Sequence, residues 1–191
     1  MAEAPDRKQD LIEAGRQLFL AGGYSATSVD AICQEAGVTK GAFFHHFKSK
    51  DDFAREILTD TWQPVLVAHE DGAGDPDPRE ELGRHIRFMV GWICDAGRLM
   101  PMLAQELGSS NPEIGAQVRG YFETWMGYLM ARLKAAADSK GKADTADLES
   151  VKDFIVATTE GVPAVRGQFG DQAIENVSSN LVTAAFALLR S

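Results

Sequence analysis

Hydrophobic positions recur every three to four residues along almost the whole chain, which is the spacing of amphipathic helices. No stretch of useful length alternates with the period of two that marks a strand. Turn and capping residues divide this pattern into about nine helices, near residues 6–21, 28–36, 40–46, 50–70, 78–97, 101–107, 112–137, 145–169 and 171–190. The sequence therefore predicts an all-α protein with a three-helix N-terminal head and a larger helical body.

Two prolines interrupt predicted helices, and one marks a helix start. Pro64 and Pro163 fall inside the fourth and eighth helices, where proline removes a backbone donor. We therefore expect a kink or a split at Pro64 and a bend at Pro163. Asp77 followed by Pro78 is the order typical of an N-cap and the first helical residue.

Residues 27–50 carry two short helices joined by a tight turn. Thr27 is the predicted N-cap of the first, with Asp30 completing a capping box. Gly37 is suited to a left-handed turn, and Thr39 is the predicted N-cap of the second helix. Two helices joined in this way form a helix-turn-helix, here about residues 29–48, whose second helix can enter the major groove of DNA.

The residues around the second helix are suited to nucleic-acid contact. Thr39 and Lys40 offer a hydroxyl and an ammonium at a helix N-terminus, where the dipole favours phosphate. Gly41 leaves room for a close backbone approach. Residues 43–47 are five aromatic rings in succession, and a helix can bury only part of such a run. The remaining rings are predicted to face outward.

The segment Gly-Val-Thr-Lys-Gly-Ala-Phe-Phe-His-His-Phe-Lys-Ser-Lys, residues 37–50, resembles the recognition segment of the TetR (tetracycline-repressor-like) family of bacterial transcriptional regulators. Residues 21–32 resemble that family's connection between its first two helices. The resemblance implies a homodimer on a palindromic operator of double-stranded DNA, released by a small effector. It also implies a DNA-binding domain over residues 6–66 and an effector-binding and dimerisation domain over residues 67–191.

Carried over position by position, the resemblance implies a set of DNA contacts: Thr27, Ser28, Thr39, Lys40, Gly41, Phe43, His45, His46, Lys48 and Lys50. Phe44 departs from the family, which usually has a tyrosine there, so a hydroxyl contact to phosphate is lost. His45 also replaces a common tyrosine or tryptophan. These departures leave the operator sequence open. Tyr24 is predicted to pack on the motif, with a phosphate contact by its hydroxyl as the alternative.

The net charge of −9 is unusual for a DNA-binding protein, but it is unevenly distributed. Residues 1–50 contain six basic and six acidic residues, whereas residues 51–191 contain 13 basic and 22 acidic residues. Charges farther apart than about 8–10 Å are largely screened at physiological ionic strength. An acidic body is therefore compatible with a locally basic DNA-binding segment.

The fifth to seventh helices concentrate large apolar and methionine side chains, which predicts an adaptable pocket for a mainly hydrophobic or aromatic effector. An ordinary core is the alternative interpretation. The predicted ligand-binding residues are Phe88, Trp92, Met100, Met102, Tyr121, Trp125, Met126 and Tyr128. The sequence does not distinguish among the polar candidates for orienting the ligand, which are His85, Cys94, Gln105, Glu106, Arg119 and Tyr128.

The last two helices present small and aliphatic residues, which by family resemblance predict pairing across a twofold axis. Packing within one chain is the alternative. The predicted dimer-interface residues are Ile155, Gly161, Val162, Val165, Leu181, Ala185 and Leu188.

Other functional classes have weaker support. No nucleophile–base set indicates an enzyme, and no cofactor is predicted. Cys33 and Cys94 lack the spacing of a metal or redox site, and neighbouring helical histidines at 45 and 46 diverge by about 100°. Apolar runs are too short for a membrane span and no signal peptide is visible, so a cytoplasmic location is expected. A helical interaction or small-molecule-binding protein without DNA binding remains the alternative.

Overall fold

The computed structural model describes residues 7–72, 77–139 and 147–189, and the elements in these ranges are helices. They are α1 (Arg7–Gly22), α2 (Val29–Glu35), α3 (Lys40–His46), α4 (Lys50–Gly72), α5 (Pro78–Trp92), α6 (Leu99–Leu107), α7 (Pro112–Asp138), α8 (Leu148–Phe169) and α9 (Asp171–Leu188). A π-helical turn, Ile93–Gly97, follows α5. The all-α prediction with nine α-helices is thus confirmed for the described ranges.

Some predictions fall on residues that lie outside the described ranges. These are the frayed N-terminal tail, most of the loop before α5, most of the loop before α8 and the final residues of the last helix.

The predicted helix caps are confirmed at two positions and wrong at a third. Thr39 Oγ1 accepts the Ala42 amide hydrogen at 3.2 Å, and Asp77 caps α5 with Pro78 at its start. The N-cap of α2 is Ser28, not Thr27: Ser28 Oγ accepts the amide hydrogen of Ala31 at 3.1 Å. Thr27 cannot serve because its buried hydroxyl donates to the carbonyl oxygen of Gly23 at 2.8 Å.

Pro64 does not split α4, because the helix continues through it to Gly72. Pro64 lies on the exposed side of the helix, so the ring does not disturb the packed face.

The helix predicted to end at Gly97 instead becomes the π-helical turn after Trp92. A Cβ atom at Gly97 would lie 2.6 Å from the Trp92 ring, so this turn requires glycine.

The chain folds into two units. Unit 1 consists of the described residues up to Gln63 together with Arg98–Gly120, and unit 2 consists of the described residues of Pro64–Gly97 and Tyr121–Ser191. Unit 1 thus includes a segment, residues 98–120, that the sequence analysis assigns to the C-terminal domain. The functional division at residues 66 and 67 stays a prediction.

The core of unit 1 is dominated by phenylalanine rings. Phe53 of α4 lies at its centre, with ring centroids 5.1 Å from Phe43, 4.8 Å from Phe47 and 6.1 Å from Phe19. Edge-to-face contacts at such distances add to the hydrophobic stabilisation of the core. A Cβ atom at Gly15 of α1 would lie 2.4 Å from the Phe53 ring, so glycine permits this close approach of α1 and α4.

Unit 2 has a separate aliphatic core. Its α8–α9 corner is fixed by Gly170, whose φ of 78° favours glycine. Arg166 reinforces the same corner: its Nη1 donates to the Cys94 carbonyl at 2.9 Å, and its Nε donates to Asp171 at 2.9 Å. The buried cluster consists of Leu82, Ile86, Val90, Ile93, Cys94, Leu129, Leu133, Ala136, Ala137, Val151, Ile155, Val162, Leu181, Val182, Ala185 and Leu189.

Candidate nucleic-acid interface

The turn between α2 and α3 has the predicted form. Gly37 adopts a φ of 64°, in the left-handed region that favours glycine. The amide of Val38 donates to the carbonyl oxygen of Cys33 at 2.9 Å, which closes the turn. Cys33 itself is buried, and burial raises the pKa of its thiol. Its role is therefore packing between the two helices.

Phe43 holds α3 in place. The helix has only seven residues, which is too short to be stable in isolation. The Phe43 side chain is 0% exposed and packs against Phe47 and Phe53. The implied DNA contact at Phe43 is therefore wrong, because the ring is enclosed in the core and anchors the helix.

The opposite face of α3 is open to solvent. Lys40, Gly41, Phe44, His45 and His46 are all exposed, as is Lys48 just beyond the helix. Phe44 is 50% exposed, and its ring centroid lies 5.3 Å from that of Phe43 in an edge-on arrangement. Phe44 is not among the contacts that the family resemblance implies, although the aromatic run predicts that some rings face outward.

Lys40 makes an ion pair that links α2 and α3. Its Nζ lies 2.9 Å from the Asp30 carboxylate, and both side chains are exposed. Exposed pairs of this kind contribute only about 0–1 kcal/mol. The ammonium can therefore exchange its carboxylate partner for a phosphate at little cost.

Lys50 and Thr27 stabilise the connection between α1 and α2. Lys50 Nζ donates to the carbonyl oxygens of Tyr24 at 3.0 Å and Thr27 at 2.8 Å, and it lies 3.9 Å from the Tyr24 ring centroid. Burial lowers the pKa of Lys50, with the charge of Asp51 opposing the shift. Both side chains are engaged within the fold, and the DNA contacts implied for them stay predictions.

Tyr24 packs on the motif as predicted. It is buried beside Phe19, and its hydroxyl donates to the Asp51 carboxylate. Burial raises the pKa of Tyr24, and the hydrogen bond to Asp51 raises it further. The hydroxyl is thus engaged inside unit 1.

Glu106 of α6 binds the loop that leads into α2. Its carboxylate accepts the amide hydrogens of Tyr24 at 3.1 Å and Ser25 at 2.9 Å. The hydrogen bond from the Ser25 amide is the main cause of the lowered pKa of Glu106. A Cβ atom at Gly23 would lie 2.8 Å from this carboxylate. Glu106 therefore orders the loop, and its candidacy as a ligand-orienting group is not supported.

The site is thus a short helix, α3, with one face exposed, anchored by Phe43 at the end of a capped helix-turn-helix. Residues 11–57 match the family model of bacterial regulatory proteins of the tetR family. This match begins in α1, includes all of α2 and α3, and ends within α4.

The chain belongs to the TetR family.

Curated relatives and a solved structure agree with this assignment. The TetR-family chain is 28% identical over 166 residues to the HTH-type transcriptional repressor DhaR of Mycobacterium sp. (strain GP1), covering 84% of this chain and 82% of DhaR. It is 34% identical over 131 residues to the transcriptional regulator AcuR of Cereibacter sphaeroides, covering 64% of this chain and 60% of AcuR.

Among solved structures, a TetR-family transcriptional regulator from Agrobacterium tumefaciens matches with a TM-score of 0.78 at 23% identity. The match covers 93% of this chain and 96% of that one. The similarity in fold therefore extends far beyond the N-terminal motif. The family match and the repressor and regulator among its relatives make this TetR-family chain a helix-turn-helix transcriptional regulator.

The predicted ligand-binding residues are divided between the two units. Phe88 and Trp92 lie on α5 in unit 2, and Met100 and Met102 lie on α6 in unit 1. The others, Tyr121, Trp125, Met126 and Tyr128, lie on α7 in unit 2. Whether they bind a ligand stays a prediction.

Several predicted dimer-interface residues are already buried within one chain. Ile155, Val162, Leu181 and Ala185 are at most 2% exposed and belong to the core of unit 2. For these four the alternative of packing within one chain is correct, because their side chains fill their own chain's interior. Of the rest, Gly161 and Leu188 are exposed and Val165 is partly exposed.

Two further features of the described residues bear on function. They contain no group of three or more His, Cys, Asp or Glu side chains placed to hold a metal ion. No helix within the same residues combines the length and apolar character needed to cross a bilayer.

We predict that Gly41→Ala weakens DNA binding without weakening the fold. A Cβ atom at Gly41 would meet only Thr39 Oγ1, at 3.8 Å, so nothing inside the chain requires glycine there. Alanine favours a helix by up to about 1 kcal/mol over glycine, so the melting temperature should not fall. Gel shifts and thermal melts test this, with Gly91→Ala, another open glycine, as the control. Unchanged DNA affinity would contradict a close DNA approach at Gly41.

We also predict that Glu106 contributes pH-dependent stability. Its pKa lies below the ordinary 4.5 in the folded chain, so its stabilisation is complete above about pH 4.5 and is lost as the pH falls through the lower folded pKa. Glu106→Gln should lower the melting temperature at pH 7 and reduce the further fall between about pH 5 and pH 3. Glu123→Gln removes an exposed carboxylate and should follow the wild type. Parallel pH curves for wild type and Glu106→Gln would contradict the prediction.

Proposed function

We propose that this TetR-family regulator is a cytoplasmic homodimeric repressor that leaves a palindromic operator when a small, mainly apolar effector binds. The main observation supporting it is the exposed face of α3, which carries Lys40, Gly41, Phe44 and two histidines while Phe43 anchors the helix. The relative DhaR is itself named a transcriptional repressor.

The proposed DNA contacts are the exposed members of the motif: Ser28, Thr39, Lys40, Gly41, Phe44, His45, His46 and Lys48. Hydroxyl and ammonium groups at the helix starts would contact phosphates, which position the protein on the duplex. Phe44 offers an apolar surface, which favours a thymine methyl group in the major groove. The histidines can hydrogen-bond to base edges or phosphates. Phosphate contacts would supply most of the affinity, and the exposed rings would contribute to sequence preference.

The proposed dimer surface is the exposed side of α8 and α9. An apolar groove between these helices is lined by Val151, Phe154, Ala184 and Leu188 among others, and the Phe154 side chain is 42% exposed. Gly161 lies exposed on α8, and a Cβ atom there would have no neighbour within 4 Å. Two copies related by a twofold axis would cover this surface. To bind a palindromic operator, the dimer must hold its two recognition helices about 34–36 Å apart, which is one turn of DNA.

Release would follow a shift between two populations of the dimer, one favoured by DNA and the other by effector. Two helices pass without a break from one unit to the other, α4 at Gln63–Pro64 and α7 at Gly120–Tyr121. They are the proposed route of coupling between the DNA-binding domain, residues 6–66, and the effector-binding domain, residues 67–191. A coupling free energy of about 1–3 kcal/mol would weaken DNA binding by about 5–150-fold.

Replacing Lys40 tests the DNA-binding face directly. We predict that Lys40→Ala weakens binding to duplex from the region upstream of its own gene and lowers the salt slope of log affinity by about one, the change expected for one lost phosphate contact. Gel shifts at several salt concentrations measure both quantities. Lys134→Ala changes the net charge equally at an exposed site on α7 and should match the wild type. Equal slopes for Lys40→Ala and wild type would refute the contact.

The dimer surface is tested by Gly161→Arg, which adds a large side chain at an open position. We predict that this variant stays folded but sediments as a monomer and loses high-affinity operator binding. Gly91→Arg adds the same side chain at an open site on α5 and should remain dimeric. A dimeric Gly161→Arg variant, seen by analytical ultracentrifugation at micromolar concentration, would refute this interface.

A further inference from the structure

Unit 2 contains a buried arginine that neither the proposed DNA contacts nor the proposed dimer surface uses. Arg132 of α7 is only 5% exposed. A guanidinium buried to this extent carries a large desolvation penalty unless its surroundings compensate for it. The groups around Arg132 therefore indicate what the site is built to hold.

One edge of the guanidinium is held by α4 and α7. Nη1 donates to His69 Nδ1 at 2.9 Å and approaches the Tyr128 carbonyl oxygen at 3.3 Å, and Nη2 donates to the His69 carbonyl oxygen at 3.4 Å. The His69 ring stacks on Tyr128 with centroids 3.5 Å apart. Burial lowers the pKa of His69, and the charge of Arg132 lowers it further, so His69 acts as a neutral acceptor. These contacts fix the orientation of the guanidinium.

The other edge is incompletely satisfied. Glu81 of α5 lies with its Oε1 3.0 Å from Arg132 Nε, but this approach lacks hydrogen-bond geometry, and Nε has no hydrogen-bond partner among the described residues. The Glu81 side chain is 18% exposed, so it has a route to water. A buried donor without a hydrogen-bond partner is energetically unfavourable. The ion pair with Glu81 therefore leaves the buried Nε–H of Arg132 available to a better-placed carboxylate.

His85, also on α5, is a second buried side chain with a polar atom that lacks a hydrogen-bond partner. It follows Glu81 by one helical turn, is 8% exposed, and its Nε2 has no partner within the described part of the chain. Burial lowers its pKa to about 3, and the charge of Arg132 adds to the shift, so the imidazole is neutral at neutral pH. In the tautomer with hydrogen on Nε2 it is a hydrogen-bond donor.

Aromatic residues continue from these polar groups along both helices. On α7, Trp125 precedes Arg132 by seven residues and therefore shares its face, and its buried Nε1 also lacks a partner in the described residues. On α5, Phe88 and Trp92 follow His85 by three and seven residues, again on one face. The two faces combine a cationic end with an aromatic stretch, the pattern suited to a molecule with an anionic head and an apolar body.

We propose that the effector is a carboxylic acid whose carboxylate takes the place of Glu81 on Arg132 and accepts a hydrogen bond from His85 Nε2, with its apolar body beside Trp125 and Phe88. This inference rests on the proposed function, in which the C-terminal domain, residues 67–191, binds the effector. It makes Arg132, which the sequence analysis did not single out, the main anchoring group. A purely structural ion pair, or a neutral effector, would not produce a preference for a carboxylate over its amide.

The test uses the full chain and three probes, benzoate, phenylacetate and octanoate, each compared with its primary amide. Thermal shift and calorimetry should show at least one carboxylate that stabilises the wild type more than its amide does. Glu81→Gln should lower the melting temperature of the unliganded protein yet bind that carboxylate about tenfold more tightly, because the competing carboxylate is gone. Glu80→Gln, on the exposed side of the same helix, should bind as the wild type does.

Two results would overturn the proposal. One is that no carboxylate exceeds its amide with either wild type or Glu81→Gln. The other is that Glu81→Gln binds the carboxylate no more tightly than Glu80→Gln does, which is the result expected of a structural ion pair.

Gel shifts on the same preparations separate this inference from the proposed function. DNA binding without any carboxylate preference would overturn the acid site and leave the regulator intact. Carboxylate binding at Arg132 by a chain that never binds duplex would instead overturn the proposed function. Release of DNA by the stabilising carboxylate, and not by its amide, supports both.

Discussion

The burial of the Phe43 ring is the interaction on which the DNA-binding surface depends. A helix of seven residues has little stability of its own, and edge-to-face packing of Phe43 on Phe53 supplies what the backbone cannot. Because Phe43 faces inward, the residues on the opposite side of α3 must face solvent. One buried ring thus sets both the position of the helix and the identity of the face presented to DNA.

Polar contacts within unit 1 add a second constraint on the same motif. Glu106 accepts two amide hydrogens from the loop before α2, and Lys50 donates to two carbonyl oxygens of the same connection. Asn111 donates to Asp51 at 2.8 Å, and Asp51 also accepts the Tyr24 hydroxyl. Glu106 of α6 and Asn111, just before α7, therefore help to order a motif that is separated from them by more than fifty residues.

Local signals in the sequence were sufficient for the helices and for the helix-turn-helix. The Thr39 cap, the Gly37 turn and the Asp77–Pro78 start each depend on neighbouring residues, and each is confirmed. Other features, such as which residue caps α2, depend on tertiary contacts that the local sequence does not show. Thr27 and Ser28 are equally suited to cap α2 by composition, and the choice follows from the Thr27 hydroxyl reaching the Gly23 carbonyl.

Tertiary packing also explains why some site residues were assigned wrongly from the sequence. An aromatic run shows that some rings must be buried, but only the packing against Phe53 identifies Phe43 as the buried one. Spacing shows that α8 and α9 have apolar faces, but not whether Ile155 or Phe154 belongs to the chain's own core. Nothing in the sequence marks Arg132 as buried, because a buried arginine cannot be distinguished from a surface arginine until its partners are known.

Amide hydrogen exchange across α3, combined with DNA binding, tests the central claim most directly. In Phe43→Ala we expect the hydrogen-bonded amides 42–47 to lose protection and DNA binding to be abolished, while α8 keeps the protection of the wild type. In Phe44→Ala, which removes the exposed neighbouring ring, the protection of α3 should persist. A Phe43→Ala variant with a protected α3 and wild-type DNA affinity would contradict the account.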